Sequence, residues 1–242
     1  KVGDNTNISI TNKTNYPFSE DLIFNIETDK SDVFPIYFRI PSWCKKSKVL
    51  INGKSIKTQI EAGKFLKIKR EWSNGDIVKL ILPKDISVKK WEKNHNSVSV
   101  NYGPLTFSLN IKERYVEKSS DKTAIGDSRW QEDADREEWP TYEIYPDSDW
   151  NYGLILEDKL DNTFEVIERE WPKDNFPFTN NSTPILIRAN AKKIPNWKIG
   201  KTGLVGELMD SPVESNEKVE IIELVPMGGS RLRISSFPVI KN

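Results

Sequence analysis

Large apolar residues alternate with polar ones along much of this chain, and that period of two predicts strands. In Leu22-Ile23-Phe24-Asn25-Ile26 the big side chains recur at every second position, and Phe34, Ile36, Phe38 and Ile40 share one face while Tyr37 and Arg39 take the other. Val49-Leu50-Ile51 is followed by Asn52-Gly53, a pair that tolerates the positive φ angles of a tight turn, and then by Lys54-Ser55-Ile56. This predicts a hairpin. Phe65 to Trp72 places Leu66, Ile68 and Trp72 on one face, and the turn Ser73-Asn74-Gly75-Asp76 leads into Val78, Leu80 and Leu82, ending at Pro83. Val98, Val100 and Tyr102 predict one further strand, and Leu105, Phe107, Leu109 and Ile111 another, separated by Gly103-Pro104.

From Lys112 to Trp139 the alternation stops and charged residues dominate, which predicts a polar linker or excursion with a helical turn or two near Trp130 to Glu138. Strand patterns return at Tyr142 and Ile144, Leu154 to Leu156, Phe164 to Ile167, Pro184 to Ala191, Val219 to Val225 and Arg231 to Phe237. The stretches Trp139-Pro140 and Asn175 to Pro184 read as loops. The expected fold is all-β: two β-sandwich domains of jelly-roll or immunoglobulin-like type in tandem, over residues 1–111 and 139–242, joined by residues 112–138.

Charge narrows the function classes. The 242 residues carry 36 basic and 36 acidic side chains, interleaved and without a basic face, so nucleic acid is not the expected partner. No apolar run is long enough for a membrane-spanning helix. The chain opens KVGDNTNISI, without an initiator Met or a signal sequence, and reads as a piece of something longer. One Cys and one His cannot make a disulfide or a Cys/His metal cluster, so neither a metal site nor a cofactor site is expected.

Several phrases are more specific than a generic sandwich requires. They are Thr14-Asn15-Tyr16-Pro17-Phe18, Phe38-Arg39-Ile40-Pro41-Ser42-Trp43-Cys44, Val49 to Gly53, Glu71-Trp72 with Gly75-Asp76, and Tyr102-Gly103-Pro104-Leu105. Further along come Trp150-Asn151-Tyr152-Gly153-Leu154, Ser211-Pro212-Val213, Leu224-Val225-Pro226-Met227-Gly228, Leu232-Arg233-Ile234 and Phe237-Pro238. In this order the set resembles the C-terminal part of the bacterial β-L-arabinofuranosidase-like glycoside hydrolases of families 127 and 146, over nearly the whole chain.

That resemblance implies an N-terminal (α/α)6 catalytic barrel, in which a cysteine held with other cysteines and a glutamate around zinc acts as nucleophile, followed by β-sandwich modules. No phrase here matches the catalytic motif. The implied role is non-catalytic and accessory: support of the missing barrel, with domain or homodimer contacts. The resemblance also implies a bacterial, periplasmic or secreted enzyme of plant-glycan degradation, while this chain alone should be inactive. The alternative is an independent carbohydrate-binding module that holds a plant-type glycan.

Six features are candidates for chemistry. Cys44, ending a strand beside Lys45 and Lys46, lacks a second thiol, a His or a helix start that would lower its pKa, so a buried structural thiol is expected and no catalytic residue is assigned. The acidic cluster Glu132, Asp133, Asp135, Glu137, Glu138 reads as a solvated surface rather than a carboxylate pair, and Asp147-Ser148-Asp149 lacks the glycine and glutamate of a calcium loop. The eight Trp residues include Trp130, Trp150, Trp171 and Trp197 in or near loops, where a flat ring could stack on a sugar; packing in cores and seams is the competing role. Arg39, Arg231 and Arg233 alternate with apolar residues and are expected on outer strand faces, and His95, between Asn94 and Asn96, in a turn.

Overall fold

A computed structural model describes residues 1–3, 5–118, 140–201 and 203–241. The described chain is almost entirely strand and loop, and it divides into two compact units: residues 1–87 with 101–105, and residues 88–100 with 106–242.

The first unit contains β1 (Ile8–Lys13), β2 (Asp21–Thr28), β3 (Asp32–Arg39), β4 (Lys48–Ile51), β5 (Lys54–Ser55), β6 (Phe65–Trp72) and β7 (Ile77–Ile81). Five of them form an antiparallel sheet in the order β1-β2-β7-β4-β5, and β3 pairs with β6 as a two-stranded ribbon. Alternation dictates which side chains face inward. Phe34 and Phe38 of β3 and Leu66, Ile68 and Trp72 of β6 meet Ile26, Val49, Val78 and Leu80 of the larger sheet in one buried cluster. This is the expected sandwich, with a wide sheet on one side and a narrow ribbon on the other.

The predicted hairpin forms as the Asn-Gly pair requires: Asn52 has φ 49° and Gly53 φ 76°. Asn52 does more than turn the chain, since its Nδ2 donates to Asp76 Oδ1 at 2.7 Å and its Oδ1 accepts from the Ile77 N–H at 2.8 Å. Asp76 also accepts from the Ser73 N–H at 2.9 Å and lies 3.6 Å from the Arg70 guanidinium. Burial pushes the Asp76 carboxyl up, but the Asn52 and Ser73 hydrogen bonds and the Arg70 charge outweigh it and hold it below the usual aspartate range. A carboxyl whose folded pKa is depressed stabilises the fold above its unfolded pKa, and that contribution is lost as pH falls through the folded value. Urea midpoints measured between about pH 5 and pH 2 should therefore fall more steeply for the natural chain than for Asp76→Asn. Equal slopes would remove Asp76 from the acid response.

The second unit carries most of β8 (Ile86–Trp91), β9 (Ser97–Tyr102) and β10 (Leu105–Leu109), then β11 (Glu113–Lys118), β12 (Thr141–Pro146), β13 (Tyr152–Leu154), a single helical turn α1 (Leu160–Thr163), β14 (Phe164–Glu168), β15 (Ile185–Lys193) and β16 (Val219–Pro226). Its main sheet runs β13-β15-β16-β10-β9-β8, with β14 pairing the same strand β15. Leu224 sits at the centre, opposite Leu109 on one side and Ile187 on the other.

Three expectations are revised here. Residues 88–100 and 106–111 group with the second unit rather than the first, because β10 takes β16 as its partner, with Phe107 opposite Pro226. The segment after 111 is not all linker: Glu113–Lys118 is a strand that pairs antiparallel with Thr141–Pro146. Residues 231–237 form no strand despite their alternation. The N–H groups of Arg231 and Leu232 are taken by the Glu113 carboxylate, and Phe237 makes only a single bridge to Val98. The expected helical turns near Trp130 lie outside the described residues.

Candidate functional site

The first unit is built from unequal layers, and that inequality leaves an open apolar groove of about 550 Å³. Its floor is the inner face of the wide sheet: Ile10 of β1, Leu22 and Phe24 of β2 and Leu80 of β7. One wall is β3, which contributes four consecutive residues, Ile36, Tyr37, Phe38 and Arg39. Consecutive residues point to opposite faces of a strand, so a groove touching all four runs along the strand's edge. No residue of β6 lines it, so this is the edge of β3 turned away from its partner.

Tyr16 borders the groove, and burial pushes its phenol pKa up, which keeps it neutral. On the outer face of the ribbon Tyr37 is 55% exposed and Phe65 62% exposed, each with a cross-strand cation: Lys67 lies 5.8 Å from the Tyr37 ring and Arg39 5.8 Å from the Phe65 ring. Arg39 thus projects outward as expected. The groove offers surface for apolar side chains but no nucleophile and no paired carboxylates. Pro35, inside β3, was the available sequence signal for this edge, because proline in a strand is confined to edges and bulges.

Cys44 is 1% exposed and belongs to the core cluster of the first unit. Burial pushes its thiol pKa up, the opposite of what a nucleophile needs. A thiol reagent such as DTNB is expected to modify the folded chain slowly and the urea-unfolded chain fast; equal rates would place Cys44 at an accessible surface.

The tryptophans divide. Trp197 is 2% exposed, donates its indole N–H to the Gly206 carbonyl at 3.0 Å and meets Trp150 edge-on with ring centroids 5.2 Å apart. With neither face open, Trp197 packs rather than stacks on a sugar. Trp150 and Trp171 are half-buried, Trp171 donating to Asn175 Oδ1 at 2.7 Å. Trp130, Trp139 and the acidic cluster Glu132 to Glu138 lie outside the described residues.

In the second unit Arg231 donates to the Tyr115 hydroxyl at 2.6 Å and stands over that ring, while Arg233 caps the Ser230 carbonyl at 2.6 Å. The strand-face role expected for these two arginines is replaced by loop fastening. Burial raises the pKa of Glu113, but the Tyr115 hydroxyl, the Leu232 and Arg231 N–H groups and the Arg231 charge outweigh it and hold the carboxylate ionised. His95 is in a turn with φ 55°, its Nδ1 2.7 Å from Asp210. Asp149 pairs with Lys193, and Ser148 accepts from the Lys112 N–H. Among the described residues, no three His, Cys, Asp or Glu side chains come together where a metal ion could be held, so the zinc of a thiolate centre has no fitting ligand set in them.

Residues 2–84 match the family model described as the β-L-arabinofuranosidase, GH127 middle domain. Among solved structures, a GH127 β-L-arabinofuranosidase from Geobacillus stearothermophilus T6 is similar over 98% of this chain at 19% identity and a TM-score of 0.59. A second structure, a glycoside hydrolase, is similar over 97% at 19% identity and TM-score 0.58, and a further GH127 β-arabinofuranosidase over 98% at 16% identity and TM-score 0.57. The chain spans only 31%, 32% and 32% of those three proteins. Comparison with curated proteins finds no match.

Proposed function

We propose, from the match of residues 2–84 to the GH127 middle-domain model, that this chain is the accessory, non-catalytic β-region of a β-L-arabinofuranosidase-like glycoside hydrolase, which supports a separate catalytic domain. The observation that carries the reading is one of extent. The fold of the chain is similar over 97–98% of its length to proteins of which it spans about a third, which supports reading it as one region of a larger architecture. Chemistry supports the same reading: Cys44 is buried with its pKa raised, and the groove of the first unit is lined by apolar side chains rather than by acid, base or nucleophile.

A hydrolysis assay tests this. The purified 242-residue chain, given a β-L-arabinofuranosyl substrate, should release no arabinose, and the polypeptide encoded by the intact gene should release it. Release by the chain itself, abolished by Cys44→Ser, would overturn the proposal.

A further inference from the structure

We propose that the free edge of β3 and the apolar groove beside it receive an extended β-strand supplied by polypeptide outside residues 1–242. The backbone geometry states what the edge offers. The Ile40 N–H donates to the Lys64 carbonyl, which fixes the side on which β3 bonds to β6. In an antiparallel pair the backbone groups alternate in direction, so Phe38, Ile36 and Phe34 address β6, and Arg39, Tyr37 and Val33 direct their N–H and C=O groups the other way. The groove lies on that other side. Tyr37 and Arg39 therefore present a donor–acceptor ladder to it, and Pro35, which has no N–H, limits the ladder towards the start of the strand.

The floor fits the same occupant. The ribbon covers this floor only in part: Phe38 meets Phe24 edge-on with ring centroids 5.2 Å apart, while Ile10 is left 45% exposed. A strand laid beside β3 would widen the ribbon and place alternate side chains over Ile10 and the open sides of Leu22 and Phe24. Its remaining side chains would lie on the outer face beside Tyr37 and Arg39, where Arg39, Lys67 and Lys69 favour acidic partners. The occupant is thus an extended segment with apolar residues at every second position and acidic or polar ones between. As to its source, the similar proteins place this fold in about a third of their length, leaving two-thirds of the polypeptide to supply it. The source rests on the accessory-region reading; the groove and the edge stand on the first unit alone.

The test is amide exchange measured by NMR on the 242-residue chain, titrated with synthetic peptides of about ten residues that tile the rest of the encoded polypeptide. One peptide should slow exchange at the Tyr37 and Arg39 amides by about ten-fold or more while leaving Phe38, already bonded to β6, unchanged. Tyr37→Pro removes one outward donor without touching the β3–β6 ladder and should abolish that protection. Leu22→Lys, which puts a charge on the groove floor, should do the same and serves if proline at 37 disturbs folding. Absence of protection by any peptide overturns the proposal. So does protection without peptide that grows with chain concentration, which would make a second copy the occupant. Because the accessory reading is tested by arabinose release and this one by amide protection, either can fail alone.

Discussion

Replacing Trp72 by alanine should cost about 3–5 kcal/mol of unfolding free energy, the range for emptying a fully buried aromatic site. Trp72 is completely buried at the end of β6, its indole N–H donates to the Phe34 carbonyl at 3.0 Å, and its ring sits 6.4 Å from that of Phe34, linking the two strands of the narrow ribbon. The Arg70 guanidinium lies over the same ring at 5.0 Å, so truncation also strips packing from that side chain. Trp72→Phe keeps most of the apolar volume and loses the hydrogen bond, for which a smaller loss of about 1–3 kcal/mol is expected. Urea denaturation of both variants provides the check. Near-equal losses would assign the effect to the hydrogen bond rather than to volume.

The second large effect is expected at Leu224→Ala, at about 2–5 kcal/mol. Leu224 is fully buried in β16, the strand between β15 and β10, and it faces Ile187 and Leu109 across the two ladders. A cavity there has neighbours on both sides that are held in register by backbone hydrogen bonds, which restricts how far the site can close around the missing atoms. A loss well under 1 kcal/mol, read from denaturant midpoints, would mean that the sheet collapses around the gap. A conservative Leu224→Met should be tolerated far better.

Much of the first unit was legible in the sequence. The inward faces of β3 and β6 and the Asn52-Gly53 turn follow from alternation and turn chemistry, which act over a few residues at a time. The burial of Cys44 follows from a lone thiol with no neighbour to ionise it, although it lies in the loop after β3 rather than at a strand end. Three strands escaped that reading. Ile8–Lys13, Ile86–Trp91 and Glu113–Lys118 carry little apolar alternation, and all three are largely exposed in the structure. They are strands because a neighbour supplies their hydrogen bonds: β1 by β2, β8 by β9 and β11 by β12. The converse error occurred at 231–237, where alternation was present and Glu113 satisfied backbone N–H groups that a strand partner would otherwise take.

The candidate site was less legible than the fold. Trp197 looked like a loop aromatic and is buried against Trp150, a fact set by what packs around it rather than by its neighbours in sequence. The groove depends on two sheets of different width facing each other, and width is a property of pairings between distant segments. By itself the sequence determined that the chain is all-β, which side chains point inward along the regular strands, and which family it resembles. Only the tertiary structure decided where the two units divide, which edge of β3 stays open and which aromatics lose their exposed faces. The physical reason is that a strand's side-chain period is written locally in its residues, whereas backbone hydrogen-bonding groups are nearly the same in every residue and identify no partner until the chain has folded.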